Sequence, residues 1–190
     1  MKLPDQAAKR LFQRRLLAWY ARHGRDLPWR RTREPYCVLV SEIMLQQTQV
    51  DRVIPKYHEF LTRYPTFEDL ARARGPEVTK AWRPLGYYRR AANLHGIARE
   101  TVARYEGRLP EDGAALRSMK GIGRYTAGAI LAFAHSRDAA MVDTNVRRVL
   151  GRVFLGPRRV KRLRGAKPIW DLAESLVPAG RAYDYNQALM

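Results

Sequence analysis

The stretch LRSMKGIGRYTAGAI, residues 116–130, decides how the chain is to be read. A helical pattern closes on Gly121-Ile122-Gly123, and a second opens at once with Arg124-Tyr125-Thr126-Ala127. Glycines admit positive φ and leave backbone N–H groups uncovered, and the N-terminus of the following helix adds positive potential. Two helices joined this tightly can hold a phosphate through backbone donors without reading base sequence. A plain turn satisfies the same G-x-G pattern. Lys120 and Arg124, basic side chains beside the glycines, favour the phosphate reading.

Helical spacing extends from this hairpin in both directions. AKRLFQRRLLAWYARHG (8–24) sets Leu11, Leu16, Leu17, Trp19 and Tyr20 at helical intervals and stops on Gly24. RDLPWRRTREPY (25–36), with its prolines and dense charge, reads as a connecting loop. A helix resumes over 38–50, and VDRVIPKYHEFLTRY (50–64) follows as a fresh helix or a kink around Pro55. In TFEDLARA (66–73), Thr66 is an N-cap with Asp69 three residues on. Further helices are predicted at about 76–83, 89–105, 113–119, 124–136, 144–154 and 167–177. With no alternating strand pattern and no long repeat, the fold class is all-α.

A chain of 190 residues is long enough for one good core or two small lobes. Lys and Arg number 36 against 18 acids, a formal charge of +18. Such a field attracts polyanions, and nucleic acid is the commonest of these inside a cell. A genome that favours arginine explains part of the excess but not the imbalance with the acids. The most basic segment, GPRRVKRLRGAK (156–167), is a solvated face by itself and a phosphate-contacting strip in this setting. No apolar run is long enough to span a membrane, and the N-terminus has no secretory h-region. An acidic membrane surface is the rival partner, but no basic amphipathic terminal anchor stands out. The single cysteine, Cys37, excludes a disulfide framework and fits a reducing cytoplasm.

Two carboxylates carry the chemistry. CVLVSEIMLQQTQV (37–50) sets Glu42 in an apolar helix beside Val38, Leu39 and Leu45, where desolvation should raise its pKa. A buried glutamate satisfied by a neighbouring arginine is the bland reading of the same pattern. In AAMVDTNVRRVLGRVF (139–154), Asp143 immediately precedes an apolar helical pattern and reads as its N-cap. Amide donors and the helix N-terminus are expected to keep that carboxylate ionised. Carboxylates pushed in opposite directions can divide acid and stabiliser roles. Cleavage of a glycosidic bond through an oxocarbenium-like state needs such a division. The histidines His23, His58, His95 and His135 are scattered, with no H-E-x-x-H, and no metal site is expected. No G-x-S-x-G or P-loop occurs.

LPWR (27–30), PYCVLVSEIMLQQTQV (35–50), GYYRRAANLH (86–95), GIGRYTAGAI (121–130), VDTNVRRVL (142–150) and YNQALM (185–190) together resemble MutY-type adenine-DNA glycosylases, in the same order. These are members of the helix-hairpin-helix base-excision glycosylase superfamily, and the resemblance runs from about residue 11 to the end. It implies a two-lobed fold with the active-site cleft between lobes. A six-helix lobe of 27–136 would carry Glu42 and the hairpin, and 1–26 with 137–190 would present Asp143. By the same resemblance, Glu42 matches the acid that protonates adenine at N7 and then assists water. Asp143 matches the carboxylate that stabilises the cationic sugar, and Asn145 a residue that holds this constellation. Tyr125 stands where bifunctional relatives carry a Schiff-base lysine, which implies a glycosylase without efficient strand cleavage. Gln47 and Thr48 match residues inserted near the opposing purine, and Tyr87 a stacking wedge. Trp29 and Arg30 match part of the adenine pocket, and Lys120, Gly121, Gly123 and Arg124 the phosphate-binding hairpin. Taken without the resemblance, the glutamines are surface polar residues, and Trp29 and Tyr87 core aromatics.

The implied function is hydrolysis of adenine from mispairs with guanine or 8-oxoguanine in double-stranded DNA, by a monomer in the cytoplasm associated with a bacterial or archaeal nucleoid. Mismatch-specific thymine or uracil glycosylases share the tyrosine and an AAMVD-x-N-like segment. They generally lack LQQTQV, which favours adenine. A non-catalytic DNA-binding module is the alternative from another class. The family usually binds a [4Fe–4S] cluster through four cysteines after the NQALM helix, and recognises 8-oxoguanine with a carboxy-terminal domain. The sequence stops at Met190 before both, so no cofactor is expected within this chain beyond a monovalent cation at the hairpin. Pro84 and Lys120 stand where the family commonly has Gly and Pro.

Overall fold

The structure is a computed structural model describing residues 3–156 and 165–190. Most of the basic segment 156–167 therefore lies outside the described residues. Among those described there are eleven α-helices and no strand, and no helix is long and apolar enough to cross a membrane. The helices form two compact units. One is Asp26–Ile130; the other comprises the described residues of Met1–Arg25 and Leu131–Met190.

The Asp26–Ile130 unit opens with a 3-10 turn, Pro28–Arg30. It continues through α2 (Pro35–Leu45), α3 (Val50–Arg63), α4 (Phe67–Arg72), α5 (Gly75–Ala81), α6 (Arg89–Tyr105) and α7 (Gly113–Ser118). The last helix, α8 (Arg124–Phe133), ends in the other unit. That makes seven helices, with α4 and α5 as the two separate short helices that the spacing predicted. Pro35 starts α2 at a position where its missing N–H has no intrahelical partner to lose. From Tyr36 to Met44 every residue of α2 except Cys37 is buried, as expected of a helix surrounded by others. Thr66 caps α4 as predicted, its Oγ1 accepting from the Asp69 N–H at 3.2 Å.

Several helix ends differ from those predicted, and the alternatives left open at Pro55 are decided. The helix expected over 38–50 stops at Leu45, because Gln47 takes φ 56°, which a right-handed helix cannot contain. The following helix starts at Val50 and runs through Pro55, so the proline neither starts nor ends it. Near the helix start, the missing donor costs one bond, to the carbonyl of the exposed Asp51. The predicted helix 144–154 is α-helical only to Leu150 and continues as a π-helical turn, Gly151–Leu155.

The second unit is built from α1 (Gln6–His23), α9 (Thr144–Leu150), α10 (Lys167–Leu176) and α11 (Ala182–Leu189). Val146, Leu150, Leu172, Leu176 and Tyr185 form its core, and Phe12 of α1 meets Phe154 edge-on at 5.0 Å. Asp5 starts α1 by accepting from the Ala8 N–H at 2.8 Å.

In the first unit Phe60 and Trp82 are fully buried and meet edge-on at 5.8 Å. Truncating Phe60 to alanine should cost about 3–5 kcal/mol of stability, seen as a lowered midpoint in urea. A loss below about 1 kcal/mol would show that this aromatic cluster does not hold the unit together.

Candidate active site and nucleic-acid interface

Glu42 lies near the end of α2 and is 4% exposed, between Ser41 and Ile43, which are also buried. Burying Val38, Leu39, Val40, Ile43 and Met44 contributes roughly 1.5–3 kcal/mol each, enough to offset the several kcal/mol that a carboxyl group costs there. The helix can therefore hold an acid in an apolar setting without losing its place in the core.

Beyond Leu45 the chain leaves the helix and turns through Gln46–Gln49. Gln47 is exposed with φ 56°, and Thr48 is half-buried. The loop before α6 behaves similarly: Gly86 has φ 72°, Tyr87 has φ 46°, and the Tyr87 ring is 63% exposed. Glycine takes such angles freely, but a tyrosine or glutamine does so at a cost of about 1–2 kcal/mol. Of the residues matched to duplex contact, Gln47 and Tyr87 thus sit on strained backbone at exposed turns.

Both turns converge on a side chain that reading the sequence did not single out. Arg90, buried near the start of α6, donates from Nη1 to the carbonyls of Ile43 at 3.1 Å and Met44 at 2.8 Å, and also to that of Gln46. Its Nη2 donates to Thr48 Oγ1 at 3.0 Å and to the carbonyls of Leu85 at 3.2 Å and Gly86 at 3.3 Å. The guanidinium also lies over the rings of Trp82 and Tyr87, 5.6 and 5.4 Å from their centroids. Burial draws its pKa down, and the neighbouring Tyr87 partly offsets this. The signal that could have found it is its phase: it shares a face with Leu94, Ile97 and Thr101, which are buried.

The hairpin has the predicted form. Helix α7 ends at Ser118, Met119–Gly123 makes the turn, and the Gly123 carbonyl accepts from the Ala127 N–H at 2.9 Å as α8 begins. Ile122 is buried and anchors the turn, while Lys120, Gly121, Gly123 and Arg124 are exposed around it. Tyr125 is half-buried in the first turn of α8. Gly121 takes φ 105°, and a Cβ there would meet Asn93 Cβ at 2.9 Å, so both angle and space demand glycine. Trp29 and Arg30 lie on the 3-10 turn. Trp29 is 6% exposed and edge-on to Tyr57 at 5.5 Å, the setting of a core aromatic.

In the second unit Asp143 caps α9, its Oδ1 accepting from the Val146 N–H at 2.7 Å. Asn145 Nδ2 donates to Asp143 Oδ2 at 3.1 Å, and Asn145 Oδ1 accepts from Arg148 Nη2 at 2.8 Å. Asn145 therefore bridges the carboxylate to an arginine not singled out from the sequence. An iron–sulfur cluster of the family's type takes four thiolates, and the one cysteine, a half-buried Cys37, does not fit that group. Among the described residues no cluster of three metal-ligating side chains occurs.

These helices and their hairpin define the class: an all-helical fold built around a helix-hairpin-helix motif of the kind that holds nucleic-acid phosphates. The chain belongs to the HhH-GPD superfamily of base excision DNA repair proteins, whose family model matches residues 40–172. It is 42% identical to the adenine DNA glycosylase of Rattus norvegicus over 98% of this chain but 38% of that protein. It is 36% identical to the thymine/uracil-DNA glycosylase of Methanothermobacter thermautotrophicus, covering 96% of this chain and 82% of that one. A solved structure of a thermostable thymine-DNA glycosylase superposes with a TM-score of 0.89 at 36% identity, over 97% of this chain and 85% of that one. An endonuclease III–DNA complex shares the fold, with a TM-score of 0.80 at 20% identity, over 98% of this chain and 85% of that one. The chain thus spans well under half of the rat adenine glycosylase and most of the thymine enzymes.

Replacing Gly121 with alanine should destabilise the hairpin by about 1–3 kcal/mol and weaken duplex binding more than it lowers the thermal midpoint would explain. Unchanged DNA affinity at a temperature where the variant is folded would show that the turn makes no phosphate contact.

Proposed function

We propose that this chain hydrolyses the N-glycosidic bond of adenine mispaired with guanine or 8-oxoguanine in duplex DNA. The observation that carries this reading is Glu42, a carboxyl group buried on an apolar helix, in a base excision repair chain 42% identical to an adenine DNA glycosylase. Glu42 in its acid form gives a proton to N7 of the extruded adenine, and the N9–C1′ bond breaks with its electron pair moving to the base. The sugar is left with oxocarbenium character, which the Asp143 carboxylate stabilises while Asn145 holds Asp143 in place. Water then adds to C1′ and loses its proton to the Glu42 carboxylate, leaving free adenine and an abasic site. Tyr125 offers no amine, so no imine forms and the strand stays intact. The hairpin holds backbone phosphates, while Gln47, Thr48 and Tyr87 fill the space left by the extruded base. The chain acts as a monomer.

A second reading, removal of thymine or uracil opposite guanine, is favoured by the TM-score of 0.89 with a thymine-DNA glycosylase of which 85% is covered. Labelled duplexes holding A:8-oxoG, A:G, T:G and U:G, incubated with the protein and then treated with alkali, separate these readings. Breaks at adenine are expected. Breaks only at thymine or uracil would install the second reading, and tight salt-sensitive binding without breaks would mark a non-catalytic module.

Changing Glu42 to glutamine is expected to lower single-turnover excision by about 10²-fold or more while mispair binding persists. Retained turnover would remove Glu42 as the acid. Changing Tyr125 to lysine should create a covalent complex with DNA that borohydride traps, and failure to trap one would contradict the assigned position of that side chain.

A further inference from the structure

Arg90 carries more than a helix cap requires. The carbonyls of Ile43 and Met44 belong to the last turn of α2, where backbone acceptors lack intrahelical partners. A cap alone would stop there. The same guanidinium also reaches Gln46 and Thr48 on either side of Gln47, and Leu85 and Gly86 just before Tyr87. Gln47 and Tyr87 are two of four non-glycine residues at positive φ among those described, and both border these bonds. Strained backbone of this kind persists only where its surroundings over-determine it, and it gathers where ligands are clamped. Trp82 adds a second tie, its Nε1 donating to the Gly86 carbonyl at 3.1 Å, and Arg52 Nη2 donates to the Pro84 carbonyl at 3.0 Å. The Arg90 guanidinium also lies over the Tyr87 ring, so one group joins the turn after the Glu42 helix to the exposed aromatic.

We propose that Arg90 is a positioning residue that sets Gln47 and Tyr87 as one rigid pair and fixes both to the end of the helix carrying Glu42. This rests on the glycosylase reading above only in assigning the pair to the opened duplex. Arg90 touches neither base nor sugar. Its effect is to make opening of the stack and placement of the acid a single event, because both turns are bonded to one guanidinium and a shift of either pulls on the group that holds the other. Lysine cannot replace it: an ammonium serves three acceptors at most and has no planar face to lay on tyrosine.

The test uses the full chain, in wild-type form and as Arg90→Lys, Arg90→Met and Leu94→Ala. The last removes a buried side chain on the same helix and controls for general loss of stability. Duplexes carry 2-aminopurine beside an A:8-oxoG pair, so that fluorescence reports unstacking without any bond being broken. The wild type is expected to raise fluorescence on binding. Arg90→Met should lower that amplitude at saturation by roughly fivefold or more, Arg90→Lys should give an intermediate loss, and Leu94→Ala should keep the full amplitude where it is folded. If Arg90→Met does not fold, Arg90→Lys decides. Full amplitude in the arginine variants, losses matched by Leu94→Ala, or no rise with the wild type would each overturn the proposal. Base release is followed in parallel. A wild type that unstacks the duplex but frees no base would fail the glycosylase reading and leave the role of Arg90 standing.

Discussion

A helix as apolar as Pro35–Leu45 has to end inside protein, and its last carbonyls then lie where water cannot reach them. Each buried acceptor left without a donor costs about 1–3 kcal/mol, so a few of them approach the whole net stability of a domain, about 5–15 kcal/mol. Arg90 removes that cost by offering its terminal N–H groups to the end of α2, and a positive charge there also suits the helix dipole. The loops at 46–49 and 83–88 inherit their shapes from this choice, since the two terminal nitrogens of the same guanidinium also donate to them. The position of Glu42 along its helix axis is fixed by the same bonds.

The two carboxylates are held in place by different local physics. Glu42 is carried by burial: its neighbours supply the free energy that keeps the helix in the core whatever the carboxyl group costs. Asp143 is carried by hydrogen bonds. Its Oδ1 takes a backbone donor of α9 and its Oδ2 the amide of Asn145, which Arg148 holds in turn. An N-cap is worth about 1 kcal/mol to a helix, so Asp143 would be retained here for folding alone. A functional role adds to that need and does not compete with it.

Much of this was legible in the sequence, and what was not has identifiable causes. The extent of α6, the caps at Thr66 and Asp143 and the hairpin at Gly121–Gly123 follow from short-range rules of spacing, capping and glycine conformation. The early end of α2 does not, because QQTQ has no breaker and nothing local forces Gln47 into positive φ. That break is imposed from residue 90, more than forty positions away. Arg90 itself was half legible. In GYYRRAANLH its phase puts it on the apolar face with Leu94, but in a chain of 36 Lys and Arg one more arginine reads as surface charge. Phase is written locally and partners are not. Trp29 is the opposite case, since its buried setting agrees with the core reading of the residue type, and only likeness to a family gives it another use.

The distribution of charge follows from the same accounting of donors and acceptors. Several of the acids are spent on a cation three or four residues away: Asp69 on Arg72, Glu77 on Arg74, Glu100 on Arg104, Asp171 on Lys167 and Asp184 on Arg181. Such exposed pairs are screened by solvent and contribute little, and they leave the wider field unchanged. With twice as many cations as acids, no arrangement of this chain neutralises itself, and the surplus of 18 charges repels itself in the folded state. Lys120 stands exposed at the hairpin as part of that surplus. A phosphate backbone relieves the repulsion and returns its condensed counterions to solution, so binding gains from a term that folding leaves unfavourable. Affinity drawn from the surplus charge is then independent of the local bonds that place Glu42 and Asp143.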